Sequence, residues 1–373
     1  MWPYLSIMAI VVILPVLGLW GRRFLYIDER QAQRFKALYC VIVCCSMATL
    51  CALRGVRIGY DTSNYIYMYY NTRSYTLGDV IDSYINPDNF DNVDDAKDIV
   101  YKLINNAFAS IFQDHRPFFF FCALIGFAGP SWLIYRYSNN VVVSFLLFMA
   151  LGGFMFNFTG IRQGMALGIT AFSYKYLLER RFKNFIFIVL AASLFHKSAL
   201  CFAPVYFLNV NLSKKIIAAY LGLFLIAFAC PGLFMQLFLL IGGSDGRAEL
   251  YFSGNGAGLL RYTIFIIHFL ILAFCFTRYS AVTTLNKNWT LGYHTLIIAS
   301  LLNFLVSQIP GCFRLAYYYT IFEPVMIVAA LSVIPQPKEK LFFTSVILFC
   351  AISYFCYSIS SGEIYYPYVF FGA

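Results

Sequence analysis

Four short clusters of polar and ionisable residues lie at the ends of apolar segments in this sequence. An ionisable group at membrane depth is costly unless it is paired or hydrated, so each cluster is a candidate functional site. The alternative for each single arginine is a side chain that reaches out to a lipid phosphate. The clusters are Arg54, Arg57 and Asp61; Arg162 and Gln163; His196 and Lys197; and Arg314 and Tyr318.

Arg162 opens a helix rich in small residues. A helix N-terminus with a guanidinium beside it is a ready anion site, and pyrophosphate is the anion that would most justify it. Gly164 and Gly168 are four residues apart, a spacing that lets a second helix approach closely. We expect these glycines to serve packing and Arg162 to serve binding.

His196 and Asp61 are the two candidates for a general base. His196 ends an apolar helix; its imidazole can accept a proton near neutral pH, and the Lys197 ammonium beside it favours the neutral form. A lone histidine at a helix end is more often structural. Asp61 follows two arginines, which favour the carboxylate; this makes it a weaker base but a good orienting group for a hydroxyl.

Arg314 and Tyr318 form the last cluster, with Glu323 deeper in the same apolar segment. Aromatic faces bind sugar rings, and tyrosine hydroxyls add hydrogen bonds. The alternative is an interfacial belt of aromatic residues.

The composition is that of an integral membrane protein. The 373 residues are 61% hydrophobic and 12% charged, with a mean hydropathy of +0.72, whereas a soluble domain is about half apolar and a quarter charged. This excludes a large soluble catalytic domain. Apolar runs predict an all-α protein with about twelve transmembrane helices in a single polytopic domain, 1–373. The runs are 4–20, 37–53, 117–135, 141–157, 162–178, 185–197, 198–211, 216–240, 261–277, 291–307, 314–334 and 341–359.

The topology follows from the basic residues in the loops. Every second loop carries more Lys and Arg than the loops between them, and loops with the excess of basic residues lie on the cytoplasmic side. This assignment places both termini and all four clusters outside. A long loop near 54–116 and a glycine-rich loop near 242–260 are then external, and a mobile glycine-rich loop suits a gate over a cleft. The acidic run 88–95 lacks the glycine and the closing glutamate of a calcium loop, which favours a solvated loop. Residues 99–112 are predicted to form an interfacial helix.

Several partner classes are not expected. The net charge of +10 is spread singly over short loops, which argues against nucleic acid. The eleven cysteines lie almost entirely in apolar runs and the four histidines are scattered. We therefore expect no disulfide framework, no metal site and no cofactor.

The order of these motifs resembles the EpsG family of Wzy-type polysaccharide polymerases. The run Asp98-Ile-Val-Tyr101-Lys-Leu-Ile-Asn105 is similar to an acidic-x-x-Tyr-x-x-Leu-Asn run of that family, with Ile104 at the leucine position. The resemblance covers nearly the whole chain. The other matching runs are Arg57-Ile-Gly-Tyr-Asp-Thr62 with Tyr65, Ile161-Arg162-Gln163 with Ala166, Phe195-His196 with Ser198-Ala199, Arg314 with Tyr318, and the aromatic tail from Tyr365 to Phe370.

The resemblance implies a GT-C-like membrane glycosyltransferase. It would polymerise O-antigen or exopolysaccharide repeat units carried on undecaprenyl pyrophosphate, at the outer face of the bacterial inner membrane. Arg162 and Arg314 would hold the donor pyrophosphate, and His196 or Asp61 would deprotonate the acceptor hydroxyl. The implied partners are the lipid-linked donor and acceptor glycans, the bilayer and a chain-length regulator of the polysaccharide co-polymerase type. The remaining substrate-binding residues would be Arg54, Arg57, Tyr65, Gln163, Lys197 and Tyr318.

Three alternatives remain open from the sequence. An O-antigen ligase shares the donor chemistry but normally has a larger external domain. A lipid-linked oligosaccharide flippase would more naturally show paired repeats and charges along a central cavity. A structural scaffold would leave Arg162 and His196 without a role.

Overall fold

The structure is a computed structural model that describes residues 1–22, 29–86, 98–208, 210–242, 259–306, 308–360, 365 and 367–370. It is 83% helical and contains no strand among these residues, which confirms the all-α prediction. The acidic run 88–95 and most of the glycine-rich loop near 242–260 lie outside the described residues.

Helices cover most of each predicted apolar run, although the runs 141–157, 216–240 and 314–334 are each divided between two helices. In chain order they are α1 (Trp2–Arg22), α2 (Glu29–Ala52), α3 (Thr62–Asn71), α4 (Leu77–Ile85), α5 (Ile99–Ile111), α6 (Arg116–Tyr137), α7 (Val141–Ala150), α8 (Gly153–Thr159), α9 (Ile161–Leu178), α10 (Phe182–Ser193), α11 (Lys214–Ala229), α12 (Pro231–Gly242), α13 (Leu259–Phe276), α14 (Tyr279–Leu285), α15 (Thr290–Leu305), α16 (Cys312–Thr320), α17 (Glu323–Ser332) and α18 (Pro337–Ser360). Short 3₁₀ helices cover Thr72–Ser74 and Lys287–Trp289, and a longer one covers Lys197–Leu208.

The described residues contain three to six candidate membrane spans. The helices α2, α6 and α18 are long and apolar enough to cross a bilayer. Three bent pairs would each add one span: α7 with α8 (45°), Tyr262–Phe276 with α14 (65°), and α16 with α17 (42°). Other apolar helices, among them α10 and the 3₁₀ helix Lys197–Leu208, are shorter. The number twelve therefore stays a prediction.

The chain divides into two compact units. Unit 1 comprises Met1–Phe172, Leu190–Lys197 and Ser345–Ala373, and unit 2 comprises Ser173–Val189 and Ser198–Thr344. The prediction of one polytopic domain is not tested by this division.

In unit 1, helices of the 54–116 segment pack on the N-terminal ends of α6 and α9. Tyr65, Tyr101, Phe118 and Met165 share one buried cluster, so the predicted helix at 99–112 is confirmed as α5 and buries one face. The Tyr69 hydroxyl lies 2.9 Å from the Phe112 carbonyl oxygen, at the end of α5 where carbonyls lack helical partners.

His115, immediately before α6, is fully buried. Burial lowers the pKa of His115 to about 4, so its imidazole is neutral. Its Nδ1 pairs with the Tyr70 hydroxyl at 3.2 Å. This neutral contact joins α3 to the start of α6.

The aromatic tail of unit 1 is bound to the turn after α2. The Gly55 amide donates to the Val369 carbonyl at 2.7 Å, and the Tyr368 hydroxyl donates to the Leu50 carbonyl at 2.6 Å. A Cβ atom on Gly55 would lie 2.9 Å from the Val369 oxygen. The tail thus needs glycine at position 55 and fixes the turn that carries Arg54.

The predicted close approach of a second helix to Gly168 is confirmed. A Cβ atom on Gly168 would lie 2.0 Å from the Ile125 carbonyl oxygen of α6, and one on Gly129 would lie 1.8 Å from the Gly168 oxygen. Gly164 instead faces the Asn157 side chain of α8. The backbones of α6 and α9 therefore touch, and this contact fixes the helix that begins with Arg162.

In unit 2, α15 is buried along most of its length and packs against α13, α16 and α17. His294 of α15 is fully buried. Its Nδ1 pairs with the Tyr220 hydroxyl at 2.7 Å, and its Nε2 lies 2.7 Å from the Val210 carbonyl oxygen. This histidine ties α11 and the segment before it to α15.

A buried histidine–glutamate pair also stabilises unit 2. His268 Nδ1 of α13 lies 2.9 Å from Glu323 Oε1, the first residue of α17, and their side chains are 8% and 1% exposed. Glu323→Ala would leave His268 without this partner. We expect it to lower the free energy of unfolding by about 1–3 kcal/mol, the usual cost of leaving a buried polar group without its hydrogen-bond partner.

Thermal unfolding of the purified protein in detergent would measure this loss. His268→Phe combined with Glu323→Leu removes both polar groups and should be less destabilising than Glu323→Ala alone. A double variant as unstable as the sum of its single variants would contradict direct pairing.

Candidate active site

In unit 1, the side chains of Arg162 and His196 both approach one carboxylate oxygen of Asp98. Arg162 Nη1 donates to Asp98 Oδ2 at 3.1 Å, and His196 Nδ1 lies 3.6 Å from the same oxygen. The side chain of Asp98 is 5% exposed, that of Arg162 18% and that of His196 27%. We call these residues the Asp98–Arg162–His196 cluster. It places a guanidinium and an imidazole, both partly exposed, around a buried carboxylate.

Each member of the cluster lies at the end of a helix. Asp98 precedes α5 in a left-handed conformation (φ 64°, ψ 63°), which aspartate tolerates better than most residues. Arg162 is the second residue of α9. His196 lies between the end of α10 at Ser193 and the 3₁₀ helix that begins at Lys197. Helix ends leave side chains clear of their own helix, so residues from three distant stretches of chain can converge.

Two tyrosines line the cluster. The Tyr101 ring lies 5.9 Å from the Arg162 guanidinium carbon and 5.9 Å from the Tyr65 ring, and the Tyr65 side chain hydrogen-bonds to Arg162. Burial raises the pKa of Tyr101, so its hydroxyl stays protonated. This hydroxyl has no hydrogen-bond partner among the residues that the structure describes. It is a donor with capacity left for a ligand oxygen.

Arg54 is more deeply buried than a boundary arginine should be. Arg54 is only 1% exposed, and its guanidinium carbon lies 4.6 Å from the centre of the Phe119 ring. Its Nε donates to Thr62 Oγ1 at 3.1 Å and its Nη1 donates to the Cys51 carbonyl at 2.6 Å. These bonds fix the turn between α2 and α3. Substrate binding by Arg54 stays a prediction, and it would require this turn to open.

The turn between α2 and α3 also explains the glycine of the run Arg57–Thr62. Gly59 has φ +90°, a conformation that favours glycine, and a Cβ atom there would lie 2.1 Å from the Phe158 carbonyl oxygen. Glycine at this position therefore lets the turn pack on the end of α8.

The other predicted residues of unit 1 are placed less centrally. Arg57 and Lys197 are exposed, and Gln163 is buried in α9. Asp61 is half-buried immediately before α3 and its side chain does not cap that helix. Arg54 donates to Thr62 and to Cys51, and the role of Asp61 as a base or orienting group stays a prediction.

Arg314 and Tyr318 lie in unit 2. Arg314 is half-buried, with its guanidinium 5.8 Å from the Phe313 ring. Tyr318 is buried, its hydroxyl pairs with Ser198 Oγ at 3.0 Å, and its carbonyl accepts from Tyr174 at 3.4 Å. Tyr318 thus holds the start of the 3₁₀ helix that follows His196 in the chain. The shared hold of Arg162 and Arg314 on one pyrophosphate stays a prediction.

Asp98 is the member of the cluster that was not predicted as a site residue. It lies three residues after the acidic run 88–95, in the run Asp98–Asn105 that contributes to the family resemblance. The available signal was its position directly before an amphipathic helix whose buried face includes Tyr101 and Asn105. Among the described residues, no group of three His, Cys, Asp or Glu side chains is arranged to hold a metal ion.

Apolar spans together with a partly buried Arg–Asp–His cluster define a polytopic membrane protein with an ionisable site. Residues 37–370 match the sequence model of the EpsG family, so the chain belongs to that family of Wzy-like polymerases and glycosyltransferases. The resemblance drawn from the motifs is thereby confirmed. No curated protein and no solved structure matches the chain.

Proposed function

We propose that this protein is a GT-C-like glycosyltransferase that polymerises lipid-linked oligosaccharide repeat units at the outer face of the bacterial cytoplasmic membrane. The observation that carries the proposal is the Asp98–Arg162–His196 cluster in a member of the EpsG family. The product would be an O-antigen or an exopolysaccharide, and the chain would have about twelve spans.

In the proposed reaction, the growing glycan on undecaprenyl pyrophosphate is the donor and a single lipid-linked unit is the acceptor. The bond between the sugar anomeric carbon and the pyrophosphate oxygen breaks, and its electron pair leaves with the pyrophosphate. A bond forms between that carbon and the acceptor hydroxyl oxygen. The hydroxyl proton passes to His196 Nε2 and from there to solvent.

The arrangement of Arg162 suits the leaving group. Negative charge grows on the pyrophosphate as the glycosidic bond breaks, and a fixed guanidinium at a helix N-terminus stabilises charge in that position. Its neighbours Tyr65 and Tyr101 offer hydroxyls and ring faces for phosphate or sugar. The exposed Arg57 and Lys197 would attract the anionic lipid, and Asp61 remains the alternative base.

The test is the length distribution of surface polysaccharide in cells whose own copy is replaced by Arg162→Ala. Loss of a charge-stabilising donor costs about 10²–10³ in rate, so we expect the ladder of chains to collapse to single capped units. The protein level in the membrane is measured in parallel. Arg136 is an exposed arginine in the last turn of α6. Its replacement, Arg136→Ala, is the matched control and should keep the full ladder.

Three other outcomes would each contradict the proposal at a different point. An unchanged ladder in Arg162→Ala would show that Arg162 only anchors the chain to lipid. Loss of even single units from the surface would favour a flippase. Accumulation of long lipid-linked chains that are never capped would favour a ligase.

A further inference from the structure

One carboxylate oxygen faces both functional groups of the cluster. Asp98 Oδ2 accepts a hydrogen bond from Arg162 Nη1 at 3.1 Å, whereas its 3.6 Å separation from His196 Nδ1 exceeds hydrogen-bond length. The carboxylate is therefore bound to the arginine and only approaches the histidine. A shift of less than 1 Å would exchange these roles.

A pyrophosphate group would compete with Asp98 for the same donors. Both are oxyanions, and guanidinium groups bind phosphate and carboxylate through the same N–H fork. Pyrophosphate carries more charge and more acceptor oxygens than one carboxylate. Because Arg162 is 18% exposed and Asp98 5%, the arginine is the member of this pair that an incoming anion can reach.

We propose that Asp98 is a positioning residue that couples donor binding to acceptor activation. Pyrophosphate bound on Arg162 releases Asp98 Oδ2, which then closes on His196 Nδ1. This inference rests on the proposed function of the site. Its consequence is an order of events in which His196 becomes an effective base only when the donor is in place.

The chemistry of the histidine explains why this order helps. A hydrogen bond from Nδ1–H to a carboxylate fixes the imidazole ring and leaves the Nε2 lone pair to accept a proton. The same carboxylate stabilises the imidazolium that forms when the acceptor hydroxyl gives up its proton. The proton stays on the imidazole until it passes to solvent. This coupling would limit deprotonation of an acceptor hydroxyl when no donor is bound, because Asp98 then stays on Arg162 and does not orient His196.

A structural role and a coupling role predict opposite effects of Asp98→Asn. If Asp98 only holds Arg162 in place, its loss should weaken anion binding. If Asp98 competes with pyrophosphate, its loss should strengthen anion binding while turnover falls. Asparagine is also well tolerated in the left-handed conformation of this residue, so the backbone should be kept.

The experiment uses the purified full-length protein in detergent, with inorganic pyrophosphate as the probe in a calorimetric titration. We expect Asp98→Asn to bind pyrophosphate about tenfold more tightly than the wild type, since a competing charge-assisted hydrogen bond is removed. Polymerisation should fall by about 10²–10⁴-fold, the contribution of general base catalysis. Asp82→Asn, an exposed residue of α4, should change neither value.

Unchanged or weaker pyrophosphate binding by Asp98→Asn would overturn the coupling, and so would tighter binding with full turnover. If Asp98→Asn does not accumulate, Asp98→Gly removes the same carboxylate at a position with positive φ and should give the same two effects. The proposed function fails separately, through loss of single units from the surface in Arg162→Ala. A collapsed ladder with no tightening in Asp98→Asn would leave the polymerase standing without this coupling.

Discussion

His196→Gln is expected to lower polymerisation by about 10²–10⁴-fold, the usual contribution of a general base. Glutamine can still offer polar atoms near Asp98 Oδ2, which now lies 3.6 Å from His196 Nδ1, but its amide cannot accept a proton at neutral pH. Since the His196 side chain is 27% exposed at a helix end, the fold should tolerate the change. The rate is measured as repeat units joined per folded protein in membranes.

Two other variants make this result specific. His294→Gln alters a fully buried histidine that binds Tyr220 and Val210 in unit 2, so it should lower the thermal stability without lowering the rate per folded molecule. Asp61→Asn tests the competing base. If Asp61→Asn loses the rate and His196→Gln keeps it, the assignment of the base to His196 is wrong.

The helices could be predicted from the sequence because burial in a bilayer requires long apolar runs. The breaks inside these runs were harder to place. The run 216–240 is interrupted at Cys230, since Pro231 cannot continue a helix from the preceding turn. The run 141–157 is interrupted at Gly152, whose φ of +97° ends α7 and turns the chain into α8. A hydropathy profile does not show either helix break, because the residues on both sides are apolar.

The site was predicted in part, for a similar reason. Arg162 and His196 were predicted because an ionisable group at the end of an apolar helix is costly at membrane depth unless it is paired or hydrated. Asp98 does not stand out, because it follows a run of similar acidic residues and its partners lie 64 and 98 positions away in the chain. Arg54 was selected for its charge, whereas its contacts with Phe119 and Thr62 depend on packing that no local pattern encodes.

Gly168→Leu is expected to prevent stable folding of unit 1, and Gly168→Ala to lower the free energy of unfolding by about 1–3 kcal/mol. The first added carbon would already lie 2.0 Å from the Ile125 oxygen and 2.8 Å from the Gly126 Cα. Both are backbone atoms, so no change of rotamer can relieve the overlap, and α6 must move away from α9. Thermal unfolding in detergent and the protein level in membranes measure the two effects.

Gly222→Ala is the matched control, because nothing lies within 4 Å of the position where its Cβ would be. In the interior of a helix alanine is favoured over glycine by about 1 kcal/mol, so the two Gly→Ala variants should change the free energy of unfolding in opposite directions. Equal stabilities would show that α6 and α9 do not touch. The contact between α6 and α9 also affects the position of Arg162, since Gly168 lies six residues after Arg162 in α9. Forcing the helices apart should therefore move Arg162 from Asp98, and any folded Gly168→Ala protein should polymerise more slowly than its stability alone would require.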